Sequence, residues 1–158
     1  MEEGCRRLLP GAAGMTFVVC EDGAEYTERF RRFLGSQFRF VRAGHFAEAL
    51  ALADGAVALL LDLDFRRTQP ALLVDERGES GARSTADVQG ILILKALRAR
   101  GVTLPALLFA DLDDAERAAR LERELSPLRV VPASVGLPRI AQLLRELVNS
   151  ATGSVEKS

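Results

Sequence analysis

Five short apolar runs alternate with five segments of helical period along this chain, and that alternation excludes most folds. Thr16–Cys20 is apolar and β-branched and ends at Glu21-Asp22. Ala24–Leu34 then places Tyr26, Phe30, Phe33 and Leu34 at helical spacing before Gly35. Phe38–Val41 alternates as a strand should, and Phe46–Ala53 sets Phe46, Ala49, Leu50 and Ala53 on one helical face. Val57–Leu61 is apolar on both faces, as a central parallel strand covered by helices requires. Asp87–Arg100 reads as a helix with Val88, Ile91, Leu92, Leu94 and Leu97 inward and Gly101 at its end. Pro105–Phe109 and Leu128–Val131 are further strands. Asp111–Leu125 is a helix with Asp113 and Asp114 in its first turn, and Leu137–Val148 is a helix with Ile140, Leu143, Leu144 and Leu147 inward. Strands alternating with helices imply one α/β domain: a parallel sheet with right-handed crossovers and helices on both faces.

The domain is expected over residues 16–149, between a flexible lead-in (1–15) and a polar tail (150–158). The apolar runs fall far short of the roughly 20 residues of a membrane span, and the N-terminus lacks the long apolar stretch of a secretory signal. A cytoplasmic protein is expected. Twenty-one basic residues against 22 acidic ones leave a formal charge of −1. That balance supplies no global attraction to nucleic acid or anionic lipid, and neither partner is expected. Cys5 and Cys20 have no metal-site spacing and make no disulfide framework; Cys20 reads as a small buried hydrophobe.

In a parallel α/β sheet the functional crevice lies beyond the carboxyl ends of the strands. Here the first strand ends in Glu21-Asp22 and the third in Asp62, with Asp64 two residues on. In a flavodoxin-like order the first and third strands are neighbours, so these four carboxylates converge at one edge. Clustered acids are costly unless a cation sits among them, and Mg²⁺ takes carboxylate, backbone and water oxygens. Solvent-exposed loop starts account for the same acids equally well.

The (β/α)₅ order, Val-Val-Cys-Glu-Asp at the first strand and Leu-Leu-Leu-Asp-Leu-Asp at the third together resemble a response-regulator receiver domain of two-component signalling. The resemblance implies a flavodoxin-like three-layer sandwich with strand order 2-1-3-4-5. It puts Asp62 at the phosphoacceptor position, Glu21 and Asp22 at the acidic pair that helps hold Mg²⁺ (with Asp22 and Asp62 as metal ligands), and Asp64 where a backbone carbonyl reaches the metal. Three positions depart from the family pattern. Ala110 stands where the family has Thr or Ser, Pro132 where it has Lys, and Arg129 near its switch aromatic. These departures imply a degenerate pseudo-receiver: a non-enzymatic, stand-alone bacterial signalling protein acting through protein–protein contact, with Mg²⁺ compatible but not required. The alternatives are an atypical phospho-accepting receiver using Asp62 with Mg²⁺, and a small-ligand sensor. In the resembled family self-association often uses the fourth helix, fifth strand and fifth helix, which implies a homodimer through residues 112–149. No output domain is expected, since one sheet uses all the elements.

Residues 63–86 form a 24-position insert after the third strand, far longer than the usual crossover loop. Its apolar stretch Ala71–Val74 is consistent with an extra strand or with packing over the acids, where the insert would serve the sensor as a lid. Arg66 and Arg67 either fold back to neutralise the acidic cluster in place of metal and Lys, or belong to a solvated loop. His45, the only histidine, is expected at a helix entry rather than in catalysis. No dinucleotide, P-loop or nucleophile-elbow motif occurs. Arg29, Arg31, Arg32, Arg39 and Arg42 are either a basic patch for an acidic partner or a solvated face.

Overall fold

The computed structural model describes residues 15–81 and 85–157. Its elements run in the order β1 (Thr16–Cys20), α1 (Glu25–Leu34), β2 (Arg39–Ala43), α2 (Phe46–Ala53), β3 (Ala58–Asp62), α3 (Gln89–Ala99), β4 (Ala106–Phe109), α4 (Ala115–Glu124), β5 (Leu128–Val131) and α5 (Leu137–Lys157). The strands form one sheet in the order β2-β1-β3-β4-β5, every pairing parallel. The expected order is therefore observed.

The two-residue period of each strand divides the core. Phe17 and Val19 of β1, Leu60 of β3, and Leu107 and Phe109 of β4 pack with Phe30 of α1 and Ile140 and Leu144 of α5. Val18, Leu59, Leu61 and Leu108 point the other way, into Phe46 of α2, Ile93, Leu94 and Leu97 of α3, and Leu121 of α4. Leu59, Leu60 and Leu61 are each 0% exposed, which explains why β3 reads as continuously apolar. Asp62 follows Leu61 at the rim.

Several helical stripes differ from expectation. Phe33 is 56% exposed, because Phe30 and Leu34 already fill the inward face of α1. In α3 Leu92 is only half-buried, and Ile93 and Ala96 are buried with Ile91, Leu94 and Leu97. Helix α4 begins at Ala115 because Asp114 caps it, accepting from the Glu116 N–H at 2.9 Å, so Asp113 lies outside the helix. Helix α5 runs on to Lys157 through most of the segment expected as a tail. The lead-in, except Met15, and Cys5 lie outside the described residues. Among the described residues no helix is long and apolar enough to cross a membrane.

Among its described residues the insert forms no strand. Pro70–Leu72 is a single 3₁₀ turn, after which Leu73 and Val74 are buried on the α2–α3 side of the sheet. Gln89, 1% exposed, holds Val74 at both backbone groups: it accepts from the Val74 N–H (2.8 Å) and donates to the Val74 carbonyl (3.1 Å). Arg100, at the far end of α3, stacks 4.9 Å from the Phe46 ring centroid and donates to the Arg77 carbonyl. The middle of the insert is thus a strap along α3, not a lid over the rim.

Candidate functional site

Four carboxylates reach the rim, and each has a different local partner. Glu21, 1% exposed, turns toward α1 rather than into an open pocket. It accepts from the backbone N–H groups of Tyr26 (3.1 Å) and Thr27 (2.7 Å) and from the Thr27 hydroxyl (2.6 Å). The residue preceding α1, Ala24, has no side chain able to cap it, so Glu21 satisfies the helix's first-turn donors from outside. An anion at a helix N-terminus is favoured by the macrodipole as well.

Asp22 is held by Arg67. The Arg67 backbone N–H donates to Asp22 Oδ2 at 2.9 Å and its Nη2 to Asp22 Oδ1 at 3.2 Å. The same guanidinium grips Glu25 of α1 with both terminal nitrogens, each at 2.9 Å. That fork draws the Glu25 carboxyl down to about 2 and pushes Arg67 further up. Local sequence explains how Arg67 arrives there. Phe65, fully buried, pins the start of the insert, and Asp64 Oδ1 accepts from the Arg66 N–H to close a tight turn. The next N–H, that of Arg67, then faces Asp22. Thr68 fastens the same stretch to the Gly44 carbonyl at 3.2 Å.

Asp64 pairs outward with Arg66 at 3.0 Å. Asp62 is in no ion pair among the described residues; its Oδ1 accepts from the Leu63 N–H at 2.8 Å. Burial pushes its carboxyl up to about 6; the Leu63 N–H opposes that rise, and Asp22, Glu21 and Asp64 add to it. Tyr26, half-buried and stacked on Phe109 with centroids 5.2 Å apart, is likewise raised, by burial first and then by Asp62 and Glu21.

Of the three positions that depart from the receiver pattern, Ala110 and Pro132 follow β4 and β5 at their carboxyl ends, whereas Arg129 lies further back, within β5 opposite Leu107. Ala110 is buried, its N–H bonded to the Val131 carbonyl at 2.9 Å. Pro132 is exposed, and the following Ala133 N–H is tied to Asp111 Oδ1 at 3.1 Å. Arg129 is exposed on β5 and lines a hollow with Leu143, Glu146 and Leu147 of α5.

Several contributors carried no clear signal in the sequence. Arg42 donates to the backbone carbonyls of Asp22 and Gly23, so the β1–α1 loop is gripped from both sides. A Cβ on Gly23 would overlap the Glu25 and Arg67 side chains. A Cβ on Gly90 would overlap the Asp62 carbonyl oxygen, so the start of α3 abuts the rim only because residue 90 is glycine. A glycine within an apolar helical run was the available hint. His45 precedes α2 and sits 3.8 Å from Glu48, as an entry residue.

As placed, this donor set does not fit a divalent cation. Both Asp22 oxygens face Arg67, both Glu21 oxygens face α1, and Asp64 faces Arg66. Among the described residues no three Asp, Glu, His or Cys side chains are grouped to hold a metal ion. An ion at this rim would compete with Arg67 for Asp22.

No protein-family model and no curated protein matches the sequence. Solved structures do. The receiver domain of the Francisella response regulator 1452 is similar at TM-score 0.64 and 16% identity, covering 87% of this chain and 98% of that one. The fold is that of a receiver domain. A CheY-like receiver domain protein from Methanospirillum hungatei (TM-score 0.58, 13% identity, 89% and 98% covered) gives the same result. So does the Vibrio cholerae chemotaxis protein CheY4 (TM-score 0.60, 13% identity, 84% and 98%). Within the receiver fold, Asp62 ends the central strand β3 and Asp22 follows its neighbour β1.

Proposed function

We propose that this receiver-fold chain is a regulatory pseudo-receiver, a non-enzymatic module that signals by protein–protein contact without conventional phosphorylation of Asp62. One observation carries the reading: the Arg67 fork and backbone N–H occupy both oxygens of Asp22, where the receiver resemblance expects a metal ligand. Ala110 and Pro132 support it. An incoming phosphoryl group needs donors and positive charge on its oxygens, and neither side chain offers any. Treatment with acetyl phosphate and Mg²⁺, followed at once by intact-mass measurement, is expected to leave the mass unchanged. An increment of one phosphoryl group mapping to Asp62 would overturn the reading.

A second reading has its own support. Asp62 is free of any ion pair among the described residues and keeps one oxygen clear of protein donors. With its carboxyl near 6 it is mostly ionised at neutral pH, as a phosphoacceptor must be. In that reading Arg67 releases Asp22 to Mg²⁺ and serves as the cation that Pro132 cannot provide. The mass experiment separates the two. The module reading also includes a homodimer through residues 112–149, for which sedimentation equilibrium is the test.

A further inference from the structure

We propose that the exposed face of α1, with Phe33 as apolar anchor and Arg29 and Arg32 beside it, docks an acidic segment of a partner protein. This rests on reading the chain as an interaction module and names the surface and the chemistry of its partner. Phe33 is 56% exposed, and only Leu72, at 39%, joins it among the exposed large hydrophobic side chains of the described residues. The Arg32 guanidinium lies 5.4 Å from the Phe33 ring centroid, which keeps the aromatic and the charge together as one surface.

The structure also sorts the arginines of this region. Arg42 is spent on the carbonyls of Asp22 and Gly23, and Arg31 on the Phe40 carbonyl at 3.0 and 2.8 Å. Arg29 and Arg32 on α1, and Arg39 on β2, remain exposed and form no ion pair among the described residues. Glu25 is already held by Arg67, so Glu28 is the one carboxylate of α1 left to offset Arg29 and Arg32. The balance on this helix is positive, and its complement is carboxylate. Arg31 decides the mode of contact. Its fork closes the Phe40 carbonyl on the edge strand β2, so a partner strand cannot add there. What is left is side-chain docking on the helix: an apolar group over Phe33 and carboxylates on Arg29 and Arg32.

The test uses the full chain, ¹⁵N-labelled, titrated with a synthetic amphipathic peptide of Glu, Leu and Phe. Its counterpart with Lys for Glu and a single-stranded oligonucleotide are run alongside. The acidic peptide is expected to shift the amides of Arg29, Arg32 and Phe33, and to bind more weakly as salt rises. Binding should fall about tenfold in Phe33→Ser and in the double variant Arg29→Glu, Arg32→Glu. All three positions are exposed, so unchanged circular dichroism should accompany the loss. Absent binding by the acidic peptide, shifts elsewhere, unaltered affinity in the variants, or equal or tighter binding of the Lys peptide or the oligonucleotide would overturn the proposal. A phosphoryl adduct on Asp62 would overturn the phosphorylation-independent reading and leave this surface standing; a flat peptide titration would remove this surface alone.

Discussion

Arg67 donates to both carboxylate oxygens of Asp22 from 45 positions further along the chain, once through its backbone N–H at 2.9 Å and once through Nη2 at 3.2 Å. A resident guanidinium thereby holds the carboxylate that, in the reading proposed above, a divalent cation would need. Replacing Arg67 with Ala frees Oδ1 of Asp22, leaves the backbone N–H on Oδ2, and removes the repulsion between the guanidinium and an incoming cation. Mn²⁺ affinity, read by water proton relaxation, is expected to rise several-fold over the unaltered protein. Equal affinity in the two proteins would mean that Arg67 is not what excludes the ion.

Glu21 should matter to folding rather than to any metal. Its carboxylate satisfies two buried backbone donors and one hydroxyl. Glu21→Ala strands them, and denaturant unfolding is expected to show a loss of roughly 2–4 kcal/mol. A loss well under about 1 kcal/mol would show that water replaces the carboxylate.

Asp62 gives stability a pH dependence of definite sign. Its folded value of about 6 lies above the ordinary 3.8, so the folded state keeps a proton that the unfolded chain has already released. The stabilisation from that proton is complete below pH 3.8 and is lost as pH rises through about 6. Asp62→Asn is therefore expected to melt higher than the unaltered protein at pH 7, with the difference vanishing below about pH 4. A melting-temperature difference independent of pH would contradict this assignment.

Gln89 fastens the strap. Gln89→Ala leaves the Val74 N–H and carbonyl without their partner in a buried position. The expected cost is about 1–3 kcal/mol, with faster hydrogen exchange at the Val74 amide than at Leu60 in the sheet centre. Equal acceleration at both amides would indicate global destabilisation instead.

Much of the fold is legible in the chain because burial leaves a periodic trace. Leu59, Leu60 and Leu61 announce a strand covered on both faces, and the acids at its end mark the rim. Phe33 shows where the trace fails. Helical spacing says which residues share a face, not where that face stops, and the neighbouring Phe30 and Leu34 complete the core without Phe33. The rim acids were legible as a group, but their partners were not. Nothing near Glu21 in sequence distinguishes a helix cap from a metal ligand; the path of α1 decides it.

By itself, the sequence determined the α/β alternation, the parallel sheet and the placement of Glu21, Asp22, Asp62 and Asp64 at strand ends, since each follows from local period and burial. The tertiary structure alone decided that Arg67 rather than Arg66 reaches Asp22, that Glu21 serves α1, and that the insert lies along α3. The physical reason is the range of the forces involved. Hydrophobic patterning is written every two or four residues, whereas a carboxylate takes whichever donors the folded chain carries to within about 3 Å of it.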